Sequence, residues 1–225
     1  MKTPALVLDL DGTLIDSVYQ HVLAWREALS EVGISLSVWR IHRKVGMSGG
    51  LLAQALLREI EHPLDDSIKD RLQDAHARAF ARYAPTVGPL PGARELLAFL
   101  TEQDVSWAIA TSSTLDTARE TLETLGVADS ASVITRDDVE RAKPDPDLFV
   151  EAVRRLGVDV TNACVIGDSV WDLLAAKRAR TLGVGLLSGG YGKEELVQAG
   201  AFRVYEDPAD LLRHINEVGV RLPSW

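Results

Sequence analysis

Asp9 and Asp11 directly follow the apolar run Ala5–Leu8, and Gly12 ends the pattern. A short apolar run that ends at glycine is typical of a strand buried on both faces of a parallel sheet. Because one leucine separates the two aspartates, an extended chain would project both carboxylates to the same side. Such close carboxylates repel each other, and a bound Mg²⁺ ion would allow both to ionise. The alternative is a strand end and turn that happen to carry two aspartates.

The elements that would position these aspartates alternate between apolar strands and helical patterns. After the first strand, the pattern predicts strands at 107–111, 132–135, 163–168, 182–187 and, more weakly, 202–205. It predicts the intervening helices at 93–102, 115–125, 147–156 and 171–180. Strands and helices that alternate in this way indicate an α/β fold with a doubly wound, Rossmann-like parallel sheet.

The segment 16–83 has helical patterns only. After a candidate helix cap at Asp16 and Ser17, apolar residues recur at helical spacing: Val18, Val22, Trp25, Leu29 and Val32. A second helical stretch runs from 51 to about 83 with a break at Pro63. This is too long for an ordinary crossover, so we predict an all-helical insertion at 16–83 in a core formed by 1–15 and 84–225. The proline- and glycine-rich stretch 85–92 would be the linker back to the core.

Polar residues stand where the predicted strands end. Besides the first two aspartates they are Thr111 and Ser112, Lys143 in the loop after the third strand, and Asp168 and Asp172. In parallel sheets, the loops at the carboxyl ends of the strands form the site, so these groups should share one rim. Each also has a structural explanation, because hydroxyls and acids cap helices and loop lysines are commonly solvated. Their combination in this order favours a shared site.

Composition restricts the class of protein. The 225 residues are 46% hydrophobic and 25% charged, which is typical of a soluble globular protein. The formal net charge of −9 argues against a nucleic-acid partner, since phosphate backbones are bound by lysine and arginine clusters. The first apolar run is short and interrupted by Asp9, which predicts no signal peptide and no membrane partner. The single cysteine, Cys164, favours a buried thiol and a cytoplasmic location.

The chain resembles the haloacid dehalogenase superfamily in four motifs that occur in the same order: Asp9-Leu10-Asp11-Gly12-Thr13, Thr111-Ser112, Lys143-Pro144-Asp145 and Gly167-Asp168-x₃-Asp172. The resemblance covers the whole chain, and 16–83 stands where that superfamily inserts its helical cap domain. The start of this segment is similar to the β-phosphoglucomutase and phosphoglycolate phosphatase branch: Asp16-Ser17-x₃-His21-x₂-Ala24-Trp25.

The resemblance implies a role for each acid. Asp9 would attack phosphorus and form an aspartyl-phosphate, and Asp11 would protonate the leaving oxygen and then activate water. Mg²⁺ would be held by the Asp9 carboxylate, the Asp11 backbone carbonyl and Asp168. Asp172 would orient a metal-bound water or Lys143. Dehalogenating members lack an acid at the position of Asp11, so its presence favours phosphoryl transfer over cleavage of a carbon–halogen bond.

The remaining motif residues are expected to handle the phosphoryl group. Thr111 and the backbone N–H of Ser112 would bind its oxygens, and Lys143 would neutralise its charge.

Two cap residues are candidates for substrate contact, His21 and Arg43. His21 lies either at a hinge beside the substrate or in the cap core. Arg43 belongs to a basic cluster, 40–44, before a glycine-rich loop at 45–50 that would close over an anionic substrate. A solvated helix end explains these cations equally well.

We therefore expect a Mg²⁺-dependent phosphatase that hydrolyses a small phosphate monoester, of phosphoglycolate or sugar-phosphate type, through an aspartyl-phosphate. The partner would be a small phosphorylated metabolite. A β-phosphoglucomutase-like mutase is the alternative, but that branch carries an arginine where this chain has Gly49. A non-catalytic binding protein on the same fold is the third hypothesis.

Overall fold

The computed structural model describes residues 3–60, 66–127 and 131–221. It contains one six-stranded parallel sheet, with strands β1 (Ala5–Leu8), β2 (Trp107–Ala110), β3 (Ser132–Ile134), β4 (Ala163–Gly167), β5 (Leu182–Leu186) and β6 (Ala201–Tyr205). The strands lie in the order β3-β2-β1-β4-β5-β6. The predicted parallel α/β fold is confirmed.

The described residues also form ten α-helices: α1 (Val18–Glu31), α2 (Val38–His42), α3 (Gly49–Glu59), α4 (Asp66–Tyr83), α5 (Ala93–Glu102), α6 (Leu115–Leu125), α7 (Asp147–Arg155), α8 (Val170–Ala179), α9 (Lys193–Ala199) and α10 (Pro208–Arg213). The short helices α2, α9 and α10 were not predicted, because five to seven residues give little periodicity to detect. Within the described ranges, no helix combines the length and the apolar character that a membrane crossing requires.

Helices cover both faces of the sheet, as a doubly wound fold requires. Strand side chains alternate between the faces, so Leu6 and Leu8 pack on one side and Val7 on the other. Helices α5, α6 and α10 contribute to the apolar cluster on the leucine side, and α7 and α8 to the cluster on the valine side. Cys164 is fully buried in the first cluster, and this burial raises the pKa of its thiol to about 12. It is therefore a packing residue.

The helices between β1 and β2 have an apolar core of their own. Trp25 and Leu29 of α1 pack there with side chains from α3 and α4, including Leu52, Leu56 and Leu72. This supports the predicted helical insertion, whose boundaries at 16–83 stay a prediction. The predicted break at Pro63 lies outside the described residues. Helix α3 begins at Gly49, so the loop predicted at 45–50 is shorter than expected.

The chain enters and leaves the helical segment along two adjacent stretches. The backbone N–H of Asp16 donates to the carbonyl of Gly88 at 2.9 Å, and that of Leu90 donates to the carbonyl of Leu14 at 2.9 Å. The predicted linker at 85–92 is therefore hydrogen-bonded to the chain that leaves β1. These hydrogen bonds hold the segment between β1 and α1 against the linker.

Gly92, at the end of this stretch, allows a close backbone contact. It has a φ of +77°, and a Cβ there would lie 2.5 Å from the backbone nitrogen of Ala209. We expect Gly92→Ala to lower the free energy of unfolding by about 2–4 kcal/mol, through backbone strain together with the clash. Gly157 is the control, because it has a φ of +66° with nothing within 4 Å. Gly157→Ala should cost about 1–2 kcal/mol in the same urea titration, and equal losses would contradict the contact.

Candidate active site

The polar residues predicted at the strand ends meet at one edge of the sheet. Asp9 directly follows β1, Thr111 follows β2 and Asp168 follows β4. Asp9, Asp11 and Thr111 line a cavity of about 390 Å³ that lies between the sheet edge and the helical segment. Ser112, Lys143 and His21 line the same cavity. Asp168 and Asp172 are buried close to Asp9 but do not line the cavity.

Lys143 joins two of the acids. Its ammonium group contacts the carboxylate of Asp9 and lies 2.8 Å from Oδ1 of Asp172, although without hydrogen-bond geometry to Asp172. All three side chains are at most 4% exposed. Burial alone would lower the pKa of Lys143, but Asp172 and Asp9 raise it well above its ordinary value. The amine is therefore a permanent cation, and the alternative of a solvated loop lysine is wrong.

Asp172 also shapes the start of α8. Its Oδ2 accepts hydrogen bonds from the backbone N–H of Ser169 at 3.1 Å and from the Ser169 hydroxyl at 2.5 Å. The hydroxyl in turn accepts from the Asp172 N–H, which completes a capping box. The structural and functional explanations of Asp172 are thus compatible, because one carboxylate oxygen caps the helix and the other faces Lys143. This geometry fits the expectation that Asp172 orients the lysine.

Asp11 faces a different set of partners. Its carboxylate accepts hydrogen bonds from Ser17 at 2.7 Å, from His21 at 3.2 Å and from Ser113 at 3.0 Å. Burial favours the neutral acid, but these three donors outweigh it and hold the pKa of Asp11 well below its ordinary value. Ser17 was predicted to cap α1, yet its hydroxyl makes no capping bond and binds Asp11 instead. The contact between Ser113 and Asp11 was not predicted.

His21 connects Asp11 to the cap helices. An ionised carboxylate can only accept, so Nε2 of His21 donates to Asp11, and its Nδ1 lies 3.1 Å from Nε2 of His76. His76 stacks on Trp25 with ring centroids 4.3 Å apart, and burial lowers its pKa well below the ordinary value. Sequence reasoning missed His76, since nothing in the spacing relates α4 to α1.

The hydroxyl-rich loop after β2 is held in place by hydrogen bonds from its own side chains and backbone. Oγ1 of Thr111 accepts from the backbone N–H of Ser113 at 3.0 Å, and the Ser112 hydroxyl donates to the carbonyl of Gly46 at 3.3 Å. Thr114 caps α6, because its hydroxyl accepts from the N–H of Thr117. The capping role considered for Thr111 and Ser112 therefore falls to Thr114, and both residues are left on the cavity wall.

Arg43, which was expected to contact substrate, is not among the residues that line this cavity. Its guanidinium pairs with Glu195 of α9 and stacks over the ring of Tyr191 at 4.3 Å. The carbonyl of Arg43 accepts from Trp171 Nε1 at 3.2 Å and from the Tyr191 hydroxyl at 3.1 Å. The basic side chain is thus held by the acidic start of α9, a partner too distant in sequence to be foreseen. It links the helical segment to the α/β core.

The Arg43→Gln variant should therefore change catalysis little. Both members of the pair are more than a third exposed, and such ion pairs contribute at most about 1 kcal/mol. We expect kcat/KM for any phosphate ester to stay within about threefold of the wild-type value. Arg40→Gln is the control, since Arg40 pairs with Glu59 inside the helical segment. A loss above tenfold confined to Arg43→Gln would restore Arg43 as a substrate contact.

Comparison with known proteins assigns the family. A model of haloacid dehalogenase-like hydrolases matches residues 3–180. The chain belongs to this family. It is 34% identical over 214 residues to phosphoglycolate phosphatase from Rhodospirillum rubrum, covering 92% of this chain and 88% of that protein. It is 33% identical over 183 residues to validoxylamine A 7'-phosphate phosphatase from Streptomyces hygroscopicus subsp. limoneus, covering 80% and 84%. The crystal structure of a hydrolase from Pseudomonas syringae is 50% identical and superposes with a TM-score of 0.94, covering 96% and 100%.

The resemblance inferred from the four motifs is thus confirmed. In this haloacid dehalogenase-like hydrolase, three buried acids form a candidate metal site. Carboxylate oxygens of Asp9, Asp168 and Asp172 lie within 4.8 Å of one another. The ammonium group of Lys143 contacts Asp9 and Asp172, and Asp168 is buried next to these two acids, so the three carboxylates have an excess of negative charge. Burial raises the pKa of Asp9 to about 7 against the effect of Lys143. Burial and the neighbouring acids raise that of Asp168 well above its ordinary value. A divalent cation would supply the missing positive charge.

Glycines leave room for this acid cluster. A Cβ on Gly12, which has a φ of +82°, would lie 2.5 Å from Oδ2 of Asp168, and a Cβ on Gly189 would collide with the same oxygen. The Thr13 hydroxyl donates to the other oxygen, Oδ1, at 3.0 Å. The carboxylate is therefore held from one side by Thr13, and small residues surround its second oxygen. This arrangement fits a metal ligand better than a helix cap, a role that Ser169 takes.

Proposed function

We propose that this hydrolase is a Mg²⁺-dependent phosphatase that cleaves a small phosphate monoester through an aspartyl-phosphate on Asp9. The observation that carries the proposal is the position of Asp9, which is buried on the cavity wall against Lys143 and beside two further buried acids. A carboxylate next to a permanent cation and a metal site is suited to attack phosphorus. The cytoplasm remains the expected location.

The motif residues that line the cavity have separate tasks in this reaction. Asp9 attacks the phosphorus atom, and the bond from phosphorus to the leaving oxygen breaks. Asp11, whose carboxylate is ionised in the free site, takes up a proton from solvent when substrate binds and donates it to that oxygen. It later takes a proton from the water that hydrolyses the aspartyl-phosphate. The Ser17, His21 and Ser113 donors keep the Asp11 carboxylate at the side of the cavity. Lys143, Thr111 and the Ser112 N–H bind the phosphoryl oxygens.

Mg²⁺ would be held by Asp9, Asp168 and the backbone carbonyl of Asp11, with Asp172 beside them. When bound, the ion would neutralise charge on the phosphoryl group and keep Asp9 and Asp168 ionised. An O-ligand set of carboxylates and a carbonyl is the kind that magnesium prefers.

Both relatives at 33–34% identity are phosphatases, one of phosphoglycolate and one of validoxylamine A 7'-phosphate, and this supports hydrolysis over mutase activity. The absence of the arginine that the mutase branch carries also supports hydrolysis over mutase activity. Gly49 occupies that position, begins α3 and lines the cavity without a charged side chain.

The test is phosphate release by the purified protein from a metabolite panel that contains phosphoglycolate, hexose phosphates and nucleotides. We expect turnover of at least one ester with Mg²⁺, loss of activity with a chelator, and recovery when Mg²⁺ is restored. The mutase alternative predicts instead that β-glucose 1-phosphate is converted to glucose 6-phosphate in the presence of a bisphosphate. Release of no phosphate from any ester would favour the binding-protein hypothesis.

A further inference from the structure

Arg136 lines the cavity, and the reaction described above gives it no task. It follows β3 in a short 3₁₀ turn that is tied to the site. Its backbone N–H donates to the carbonyl of Ser113 at 2.9 Å, and the hydroxyl of Ser113 donates to Asp11. Its Nη1 donates to the carbonyl of Val139 at 2.5 Å. Arg136 is thus fixed beside the loop that contacts the general acid.

The acidic neighbours of Arg136 are bound to other partners. Asp137 accepts from the backbone N–H of Leu115 at 2.9 Å, at the start of α6. Asp138 pairs with Arg155 at 2.6 Å and accepts from Thr135 in a capping box. Among the described residues, no carboxylate lies within ion-pair distance of Arg136. A half-buried guanidinium with one hydrogen bond to a carbonyl keeps most of its N–H donors available for a ligand.

Arg136 also lies where two cavities adjoin. With Gln73 and Gly50 it lines both the catalytic cavity and an adjoining cavity of about 720 Å³ between the helical segment and the core. The part of a substrate that extends away from the phosphoryl group would therefore pass Arg136. Besides Asp9 and Asp11, two acids line the catalytic cavity, Asp74 and Asp116, but both are exposed, so solvent and salt screen their charge.

We propose that Arg136 selects substrates whose leaving group carries a second anionic group, either a carboxylate or another phosphate. A guanidinium forms two parallel hydrogen bonds with either anion, and this geometry rejects a neutral group that cannot accept both. The inference rests on the proposed phosphatase function and adds the class of substrate. Arg136 would act as a specificity residue and take no part in the phosphoryl transfer itself.

The experiment compares pairs of esters that differ in one anionic group. One arm uses 2-phosphoglycolate against 2-hydroxyethyl phosphate, and the other uses fructose 1,6-bisphosphate against fructose 1-phosphate. We expect the wild-type protein to prefer the anionic member of at least one pair. Arg136→Gln should lower kcat/KM for that member by about 10- to 100-fold, mainly through KM. The neutral member should change by less than about threefold, and Arg136→Lys should retain part of the preference.

Arg141→Gln is the matched control. Arg141 lies in the same loop, lines only the adjoining cavity and has a carboxylate partner, Asp147, at 3.6 Å. Equal losses on both members of a pair, or no loss on either anionic ester, would overturn the role of Arg136. If the wild-type protein hydrolysed neutral esters but showed no preference for anionic ones, this inference would fail while the proposed phosphatase would stand. Hydrolysis of no ester would overturn both.

Discussion

Asp9→Asn is expected to reduce phosphate release by at least about 10⁴-fold and to leave the protein folded. An amide has no anionic oxygen with which to attack phosphorus, so the covalent step cannot begin. The fold should survive because Lys143 keeps Asp172 as a buried partner at 2.8 Å. The measurement is the rate of phosphate release with saturating Mg²⁺, together with a circular dichroism melting curve.

A control of the same chemistry is available at Asp104. This residue lies exposed in a turn with a φ of +52°, a conformation that asparagine tolerates well. Asp104→Asn should therefore retain wild-type activity and melting temperature. If Asp9→Asn kept more than a few per cent of the wild-type rate, another group would have to be the nucleophile, and the proposed mechanism would be wrong.

Lys143→Met should produce the largest loss of stability. Without the ammonium, the carboxylates of Asp9 and Asp172 remain buried and close together with no cation. Removing one partner of a buried ion pair typically costs about 3–5 kcal/mol, because the remaining charge stays desolvated. We expect a loss of this size in the free energy of unfolding from urea titration in the presence of a chelator. Activity should also fall by about a hundredfold or more, since the cation that faces the phosphoryl group is lost.

Lys177→Met is the matched control, because Lys177 is exposed near the end of α8. Its effect on the free energy of unfolding should stay within about 0.5 kcal/mol. A loss below about 1 kcal/mol in Lys143→Met would mean that protonation of the two acids replaces the ammonium at little cost. In that case the lysine would be needed for catalysis alone.

The sequence by itself determined the sheet, the larger helices and the four motifs. Strands buried on both faces appear as unbroken apolar runs, and helices such as α1 and α5 show the 3.6-residue periodicity of one buried face. These are local patterns, so they can be found without knowing what packs against them. The shared location of the motif residues could also be predicted, because parallel strands bring their carboxyl ends to the same edge of the sheet.

Only the tertiary structure decided which partner each polar side chain takes. Ser17 has the type and position of a helix cap, but the fold brings Asp11 within 2.7 Å and the hydroxyl binds the acid instead. Arg43 has the charge of a substrate ligand, but α9 places Glu195 against it. The contact of His76 with His21 and the hydrogen bond from the Arg136 N–H to the Ser113 carbonyl likewise join segments far apart in the chain. A hydrogen bond forms only when two such segments are positioned to within a few tenths of an ångström, and residue types and spacing do not contain that information.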